Sequence, residues 1–68
     1  MKVIKSSEHR ATVAYNNNYY VVSYNKRKNE TLVFPSDSNG EIRHYIEVGG
    51  GYGISLSEIL QDFSSFLH

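Results

Sequence analysis

Apolar residues at the end of the chain recur at steps of three and four positions, which is the pattern of an amphipathic helix. The apolar set is Leu56, Ile59, Leu60, Phe63, Phe66 and Leu67. Ser55 and Glu58 have the spacing of a capping box, in which each side chain satisfies a backbone donor of the other residue. Ile54 and Ile59 can form the hydrophobic staple that accompanies such a cap. The pattern predicts one helix over residues 56–67.

Upstream, β-branched and aromatic residues dominate, and clusters of Asn, Lys and Gly between them are typical of turns. We predict strands near residues 8–15, 19–24, 30–34 and 41–48. A further short strand at 2–5 either extends the first strand or forms an edge. The connections fall at 16–18, 25–29 and 35–40, where Pro35 ends the strand pairing. The predicted fold is a single α+β domain over residues 1–68: an antiparallel, four- to five-stranded β-meander packed on one face by a single C-terminal α-helix.

The parity of the strands predicts which residues face the helix. A five-residue loop that pairs Tyr24 with Glu30 places one apolar set on the core face. That set is Tyr20, Val22, Tyr24, Leu32, Phe34, Ile42, His44 and Ile46. Ala11, Val13 and Tyr15 join it if the turn in the preceding asparagine run has two or four residues. The opposite face then carries Arg10, Thr12, Tyr19, Val21, Thr31, Val33, Arg43, Tyr45 and Glu47.

This opposite face is the predicted working surface, because one helix covers only one face of a small sheet. Tyrosine and arginine are enriched in protein interfaces. We therefore expect the face to be exposed and to bind a protein partner or a second copy of the chain. The predicted contact residues are Tyr19, Val21, Val33 and Tyr45, ringed by Arg10, Arg43 and Glu47.

The composition favours association. A chain of 68 residues buries only about 60% of its unfolded surface, so its stability should be marginal. The chain has no cysteine for a disulfide, and 3 histidines without thiols argue against a structural zinc site. The lack of cysteine and of an N-terminal apolar run is typical of a cytoplasmic protein, and no stretch approaches the roughly 18 apolar residues of a membrane span.

Two features suggest an alternative, nucleic-acid binding. Lys26, Arg27 and Lys28 lie at a predicted hairpin tip beside a tyrosine-rich strand, and cations with aromatics can bind single strands. Tyr52 stands in a glycine cluster over residues 49–53 whose backbone N–H groups could contact an anion. Acidic residues of the second half of the chain oppose such binding. The simpler interpretation of the glycines is a tight chain reversal before the helix.

Enzymatic chemistry has little support. His44 is predicted on the core face, where a histidine is usually a packing residue. His9 and His68 lie at a predicted edge and at the last residue. The serines lack the context of a nucleophile elbow or a triad, and metal-ligand spacing is absent. We predict no catalytic residue, no cofactor and no metal, and hence a protein that is not an enzyme.

Two segments, TLVFPSDSNGEIRHYIEV at residues 31–48 and SLSEILQDF at residues 55–63, resemble a pattern in small uncharacterised proteins of phages and mobile elements. The resemblance covers about half of the chain and assigns no role to any residue. It implies a context in which very small proteins bind and block host enzymes, including defence nucleases. We therefore expect a non-catalytic protein-binding module that acts by steric occlusion. The alternatives are a nucleic-acid-binding module and a homodimer of structural role.

Overall fold

The computed structural model describes residues 1–68 as a five-stranded antiparallel sheet followed by two short helical segments. The strands follow one another in space as they do in sequence, which is a meander. They are β1 (Lys2–Ser6), β2 (Arg10–Tyr15), β3 (Asn18–Asn25), β4 (Glu30–Ser36) and β5 (Gly49–Tyr52), followed by α1 (Leu56–Gln61) and a 3-10 helix (Phe63–Phe66). The predicted α+β meander is confirmed. The structure contains no helix with the length and apolar character that a membrane crossing requires.

The turn between β2 and β3 has two residues, Asn16 and Asn17, with φ angles of 52° and 67°. Asparagine tolerates positive φ, and consecutive residues of this kind form the hairpin turn that matches strand twist. The turn pairs Tyr15 with Asn18. The side chains of β2 could face the core only if this turn had two or four residues, and it has two. Val13 and Tyr15 therefore join the core. The predicted N-terminal strand forms the sheet edge as β1, with an irregularity between Val3 and Lys5.

The turn between β3 and β4 is one residue shorter than predicted. Tyr24 pairs with Thr31, and Asn25 pairs with Glu30. The Asn25 side chain accepts a hydrogen bond of 3.0 Å from the Arg27 backbone N–H, which favours the turn directly after it. Because side chains alternate along a strand, a shift of one residue moves every β4 side chain to the opposite face.

The predicted faces of β4 are therefore reversed. Val33 and Thr31 lie on the helix side, whereas Leu32 and Phe34 lie on the other side. The core cluster on the helix side is Val13, Val22, Val33, Ile59 and Phe63.

The C-terminal helix begins as predicted but ends early. The Ser55 Oγ atom accepts from the Glu58 backbone N–H at 3.2 Å. Regular α-helix ends at Gln61, because Asp62 has an extended φ of −144°. The Asp62 carboxylate accepts a 2.7 Å hydrogen bond from the Ser65 hydroxyl, and this bond closes a 3-10 turn. The tighter turn directs Phe63 into the core, where it is 3% exposed.

The fifth strand is the glycine segment Gly49–Tyr52, and the predicted strand at residues 41–48 is wrong. The end of the chain packs directly on Gly49, and Gly50 has a φ of 120° with the Thr31 carbonyl oxygen where a Cβ would lie. Only glycine fits both positions. Gly49 also forms an isolated bridge with Leu67, and the His68 N–H donates to the Val48 carbonyl at 2.9 Å. The glycines therefore form a strand between β4 and the chain end, and the chain reversal expected over 49–53 is confined to Gly53 and the residues that follow.

The second face of the sheet is covered by the chain itself, contrary to the prediction that it is exposed. Thr12, Val21 and Phe34 form one cross-strand row on this face, with exposed fractions of 2%, 0% and 8%. The segment that follows β4 contacts this row at two points: Gly40 packs on the Thr12 hydroxyl, and Tyr45 packs on the Phe34 ring. A helical layer and an irregular segment thus cover the two faces of the central strands, whereas the edge strand β1 stays exposed.

Candidate functional site

Two of the three most exposed apolar side chains lie on a loop that leaves the sheet opposite Phe34. The Arg43 N–H donates to the Pro35 carbonyl at 2.9 Å, and the Val48 N–H donates to the Val33 carbonyl at 2.8 Å. Between these two bonds, β4 contributes only Phe34, whereas the segment that connects β4 to β5 contributes residues 44–47. The extra residues must loop out of the ladder. We call residues 44–47 the tip.

The tip carries two adjacent large apolar side chains that are mostly exposed to solvent. Tyr45 is 76% exposed and Ile46 is 73% exposed. Two contacts fix the tip at its base. The Tyr45 ring lies 5.4 Å from the Phe34 ring, centroid to centroid, and the Ile46 N–H donates to His44 Nδ1 at 3.3 Å. The tip is therefore a positioned protrusion, because both bonds to the ladder and both local contacts restrict its backbone.

On one side, the exposed surface continues from the tip to the β2–β3 turn. Tyr19 and Arg43 line one shallow cavity of about 190 Å³, together with Ser36 and Asn17. Tyr19 is 37% exposed. The structure thus brings together two of the predicted contact residues, Tyr19 and Arg43, although they are 24 positions apart in the sequence.

A second exposed aromatic side chain lies at the far end of β5, away from the tip. Tyr52 is 75% exposed and pairs across the ladder with Glu30. Hydrogen bonding to the Glu30 side chain, and then the negative charges of Glu30 and Glu47, raise the pKa of Tyr52 above its usual 10.0. We group these exposed residues as the exposed strip; they are Tyr19, Arg43, Tyr45, Ile46, Glu47 and Tyr52.

The segment before the tip, residues 37–41, is a closed loop centred on Asp37. The Asp37 carboxylate accepts from the backbone N–H groups of Asn39 at 2.8 Å and Glu41 at 3.0 Å. The N–H of Glu41, followed by that of Asn39 and the charge of Arg43, lowers the pKa of Asp37 below its usual 3.8, although partial desolvation opposes this. We call residues 37–41 the covering loop, because it crosses β3 and brings Gly40 onto β2.

The predicted contact surface does not exist as one exposed face. Val21 and Val33 are both 0% exposed, and they lie on opposite faces of the sheet. The prediction that they contact a partner is wrong for this fold, because neither side chain reaches the surface. Arg10 is separated from the exposed strip by the covering loop, and its guanidinium donates to the Gly40 carbonyl at 3.0 Å.

Tyr19, Tyr45, Arg43 and Glu47 are exposed as predicted, and the structure adds Ile46 and Tyr52 to them. Ile46 was predicted in the core, as was His44, and both predictions are wrong because the tip leaves the sheet. Local sequence gives no signal for this, because adjacent apolar residues such as Tyr45 and Ile46 also occur within β3 and β4.

The predicted nucleic-acid contacts Lys26, Arg27 and Lys28 are exposed at the β3–β4 turn. The structure therefore leaves them accessible, and their role stays a prediction. Tyr52, the other residue predicted to contact an anion, pairs across the ladder with Glu30, whose carboxylate repels anions. No three His, Asp or Glu side chains converge in a metal-binding arrangement.

Comparison of the chain with protein-family models, curated proteins and solved structures finds no match.

Proposed function

We propose that this chain is a non-catalytic protein-binding module that inserts the tip into a partner protein. The observation that carries the proposal is the exposure of Tyr45 and Ile46, at 76% and 73%, on a loop that the ladder holds away from the sheet. Burying one large apolar side chain contributes about 1.5–3 kcal/mol. Exposed apolar groups that are clustered and positioned in this way are typical of a contact site.

The shape of the tip favours a different protein over a second copy of the chain. A two-fold interface requires a surface that fits itself, and two convex tips facing each other leave gaps. A concave groove on a larger protein fits Tyr45 and Ile46 as anchors. Arg43 and Glu47 flank the anchors with opposite charges, and such charges set the orientation of binding more than its affinity.

The whole exposed strip is needed for a stable complex. A standard interface buries about 800 Å² on each partner, which is less than a fifth of the 4493 Å² of accessible surface of this chain. The tip alone is too small to supply that area. Tyr19 and Tyr52, at the two ends of the exposed strip, supply the rest, so we expect the contact to follow the long side of the sheet.

As mechanism we propose steric occlusion: the bound chain blocks a groove that the partner uses for its own substrate or subunit. The resemblance to small proteins of phages and mobile elements makes a cytoplasmic host complex, such as a defence nuclease, the first partner to test. The proposal requires no chemistry from the chain itself.

The test is quantitative co-purification of the tagged chain from cells of its source organism. The wild type is compared with the double variant Tyr45→Ala, Ile46→Ala and with a control, Lys26→Gln, Lys28→Gln, which alters another exposed loop. A protein captured by the wild type and the control but lost with the tip variant supports the proposal. Retention of the same protein by the tip variant overturns it, provided that all three chains are folded at the assay temperature by circular dichroism; a lower thermal midpoint is expected for the tip variant, because it loses the Tyr45–Phe34 ring contact.

The same samples distinguish the alternative functions. Loss of binding with the lysine variant, together with a steep fall in affinity as salt rises, would favour the nucleic-acid alternative. Sedimentation of the pure wild type as a dimer that the tip variant dissociates would favour a homodimer. Either result would overturn the proposal of a protein groove as the partner of the tip.

A further inference from the structure

A second surface, on the other side of the covering loop, has the composition of an anion site. A cavity of about 260 Å³ lies between the β1–β2 hairpin and the covering loop. Its lining includes two cations, Lys5 and Arg10, and hydroxyl groups of Ser6, Ser7 and Thr12. None of the residues that line it is acidic.

Both cations are held in place by the covering loop. Lys5 Nζ donates to the Asn39 carbonyl at 2.8 Å, and Arg10 Nη2 donates to the Gly40 carbonyl at 3.0 Å. A lysine ammonium has three donors and an arginine guanidinium has five, so each group has donors left over. Their position is thus fixed before any ligand arrives, which lowers the entropic cost of binding.

The charges of these two groups are not neutralised by a carboxylate. The only contact within 4 Å between a basic and an acidic side chain joins His9 and Glu8, at 3.7 Å. Of the two acidic residues of the covering loop, Asp37 accepts from backbone N–H groups within that loop, and Glu41 is exposed and does not line the cavity. Two like charges beside one cavity repel each other, and an anion between them would relieve that repulsion.

We propose that this cavity binds a single phosphate group, as inorganic phosphate or as a phosphate monoester. The guanidinium and the ammonium supply charge-assisted hydrogen bonds from two strands, and the Ser6 and Thr12 hydroxyl groups supply neutral donors, whereas the Ser7 hydroxyl already donates to the Arg10 carbonyl. The cavity is smaller than the roughly 300–1,000 Å³ of sites for drug-sized ligands, so it accommodates the anionic group and leaves any attached molecule outside. The site uses none of the residues of the exposed strip and is independent of the proposed protein contact.

Phosphate binding should also tighten the covering loop. The ligand would contact two side chains that are themselves bonded to Asn39 and Gly40, and a ligand that binds only the folded chain raises its stability. We therefore expect the thermal midpoint to rise with phosphate concentration at constant ionic strength.

The test is a titration of the isotopically labelled chain with inorganic phosphate, followed by amide shifts, with sodium chloride holding the ionic strength constant. We expect saturable shifts at Lys5, Arg10 and Gly40. Shifts that do not saturate, or that are equally large at the Lys26 and Lys28 amides, would overturn the proposal, because they would show general accumulation of anions on basic surface.

Matched variants remove one charge inside the cavity or one outside it. Lys5→Gln should weaken phosphate binding about tenfold, as expected for loss of a charge-assisted hydrogen bond. Lys2→Gln removes the same charge from the same strand outside the cavity and should change affinity less than about twofold. Equal effects of the two variants would contradict a specific site. If Lys5→Gln unfolds the chain, the test uses Lys5→Arg, which keeps the positive charge. This variant should still bind phosphate. Loss of phosphate binding by the folded Lys5→Arg chain would contradict the site.

A parallel titration with O-phosphoserine distinguishes the two sources of the phosphate group. Tighter binding than that of inorganic phosphate indicates a phosphate carried on a larger molecule, whereas equal or weaker binding indicates the free ion. Unphosphorylated serine is the control for the amino-acid part and should cause no saturable shift; if it shifts the same amides, the proposal of a phosphate site is wrong.

Discussion

The ring of Tyr45 packs on the ring of Phe34, with centroids 5.4 Å apart and planes inclined at 58°. Phe34 is 8% exposed, whereas Tyr45 is 76% exposed. One side of the Tyr45 ring thus covers the sheet while the remainder faces solvent. This contact fixes the direction of the tip, because a tilted aromatic pair contributes about 0.5–1.5 kcal/mol beyond the area it buries. A recognition loop positioned in this way loses less conformational entropy on binding than a free loop does.

Burial of Val21 under the covering loop predicts a large stability loss when its side chain is shortened. Val21→Ala removes a side chain that is 0% exposed and should cost about 1.5–2.5 kcal/mol. The matched control is Val3→Ala on β1, where the valine is 41% exposed and the cost should be below about 0.5 kcal/mol. Urea denaturation measures both. Equal costs would show that the second face of the sheet is open to solvent.

The backbone conformation of β5 predicts that alanine substitution lowers stability by different amounts at the neighbouring glycines Gly50 and Gly51. Gly50→Ala should cost more than about 2 kcal/mol, since Gly50 has a φ of 120° and its added Cβ would meet the Thr31 carbonyl. At Gly51 an added Cβ meets only the end of the flexible Ile54 side chain. Gly51→Ala should therefore cost at most about 1 kcal/mol. Thermal unfolding of the two variants compares them, and a smaller loss at Gly50 than at Gly51 would contradict the described strand.

The two-residue turn between β2 and β3 can be strengthened. Asn17 has a φ of 67° and follows Asn16, which has a φ of 52°. An asparagine-glycine pair is the preferred sequence for this turn, so Asn17→Gly should raise the thermal midpoint. Asn17→Ala should lower stability by about 1 kcal/mol, since alanine disfavours positive φ. The opposite order of the two variants would argue for a longer turn.

The stability of the covering loop should depend on pH through Asp37. Backbone N–H groups lower its pKa in the folded chain below 3.8, so its carboxylate binds protons less readily there than in the unfolded chain. The stabilisation is therefore fully present above pH 3.8 and is lost as the pH falls through the lowered folded value.

Urea denaturation of the wild type and of Asp37→Asn at a series of pH values measures this contribution. The wild type should be more stable than the variant at neutral pH, and the difference should shrink in acid. A difference that is constant from neutral pH to strong acid would show that Asp37 does not hold the loop.

The features that the sequence predicted correctly are those set by local chemistry. The Ser55 cap and the apolar spacing after it predicted the start of the helix, and the asparagine run predicted the place of the β2–β3 turn, although it left the turn length open between two and four residues. The end of the helix was missed because Asp62 and Ser65 form a local capping bond that competes with helical geometry.

The register of β4 and the identity of the fifth strand depend on longer-range contacts. One residue in the β3–β4 turn decides which face Val33 occupies, and turn length is weakly encoded in a run of Asn, Lys and Arg. Glycine has low strand propensity, so the sequence does not indicate a strand at Gly49–Tyr52. The strand can be recognised only from its close packing against Thr31 and the chain end. The same errors placed Val21 and Val33 on an exposed surface.

The most direct test of whether residues 37–48 cover the second face of the sheet is to measure their proton contacts and amide exchange rates in solution. We predict nuclear Overhauser contacts between the Tyr45 and Phe34 rings and between Gly40 and Thr12, with protected amides at Arg43 and Val48 and fast exchange at Tyr45. If these contacts are absent and all amides of the segment exchange rapidly, the second face of the sheet is open, and neither the tip nor the cavity beneath the covering loop is a formed site.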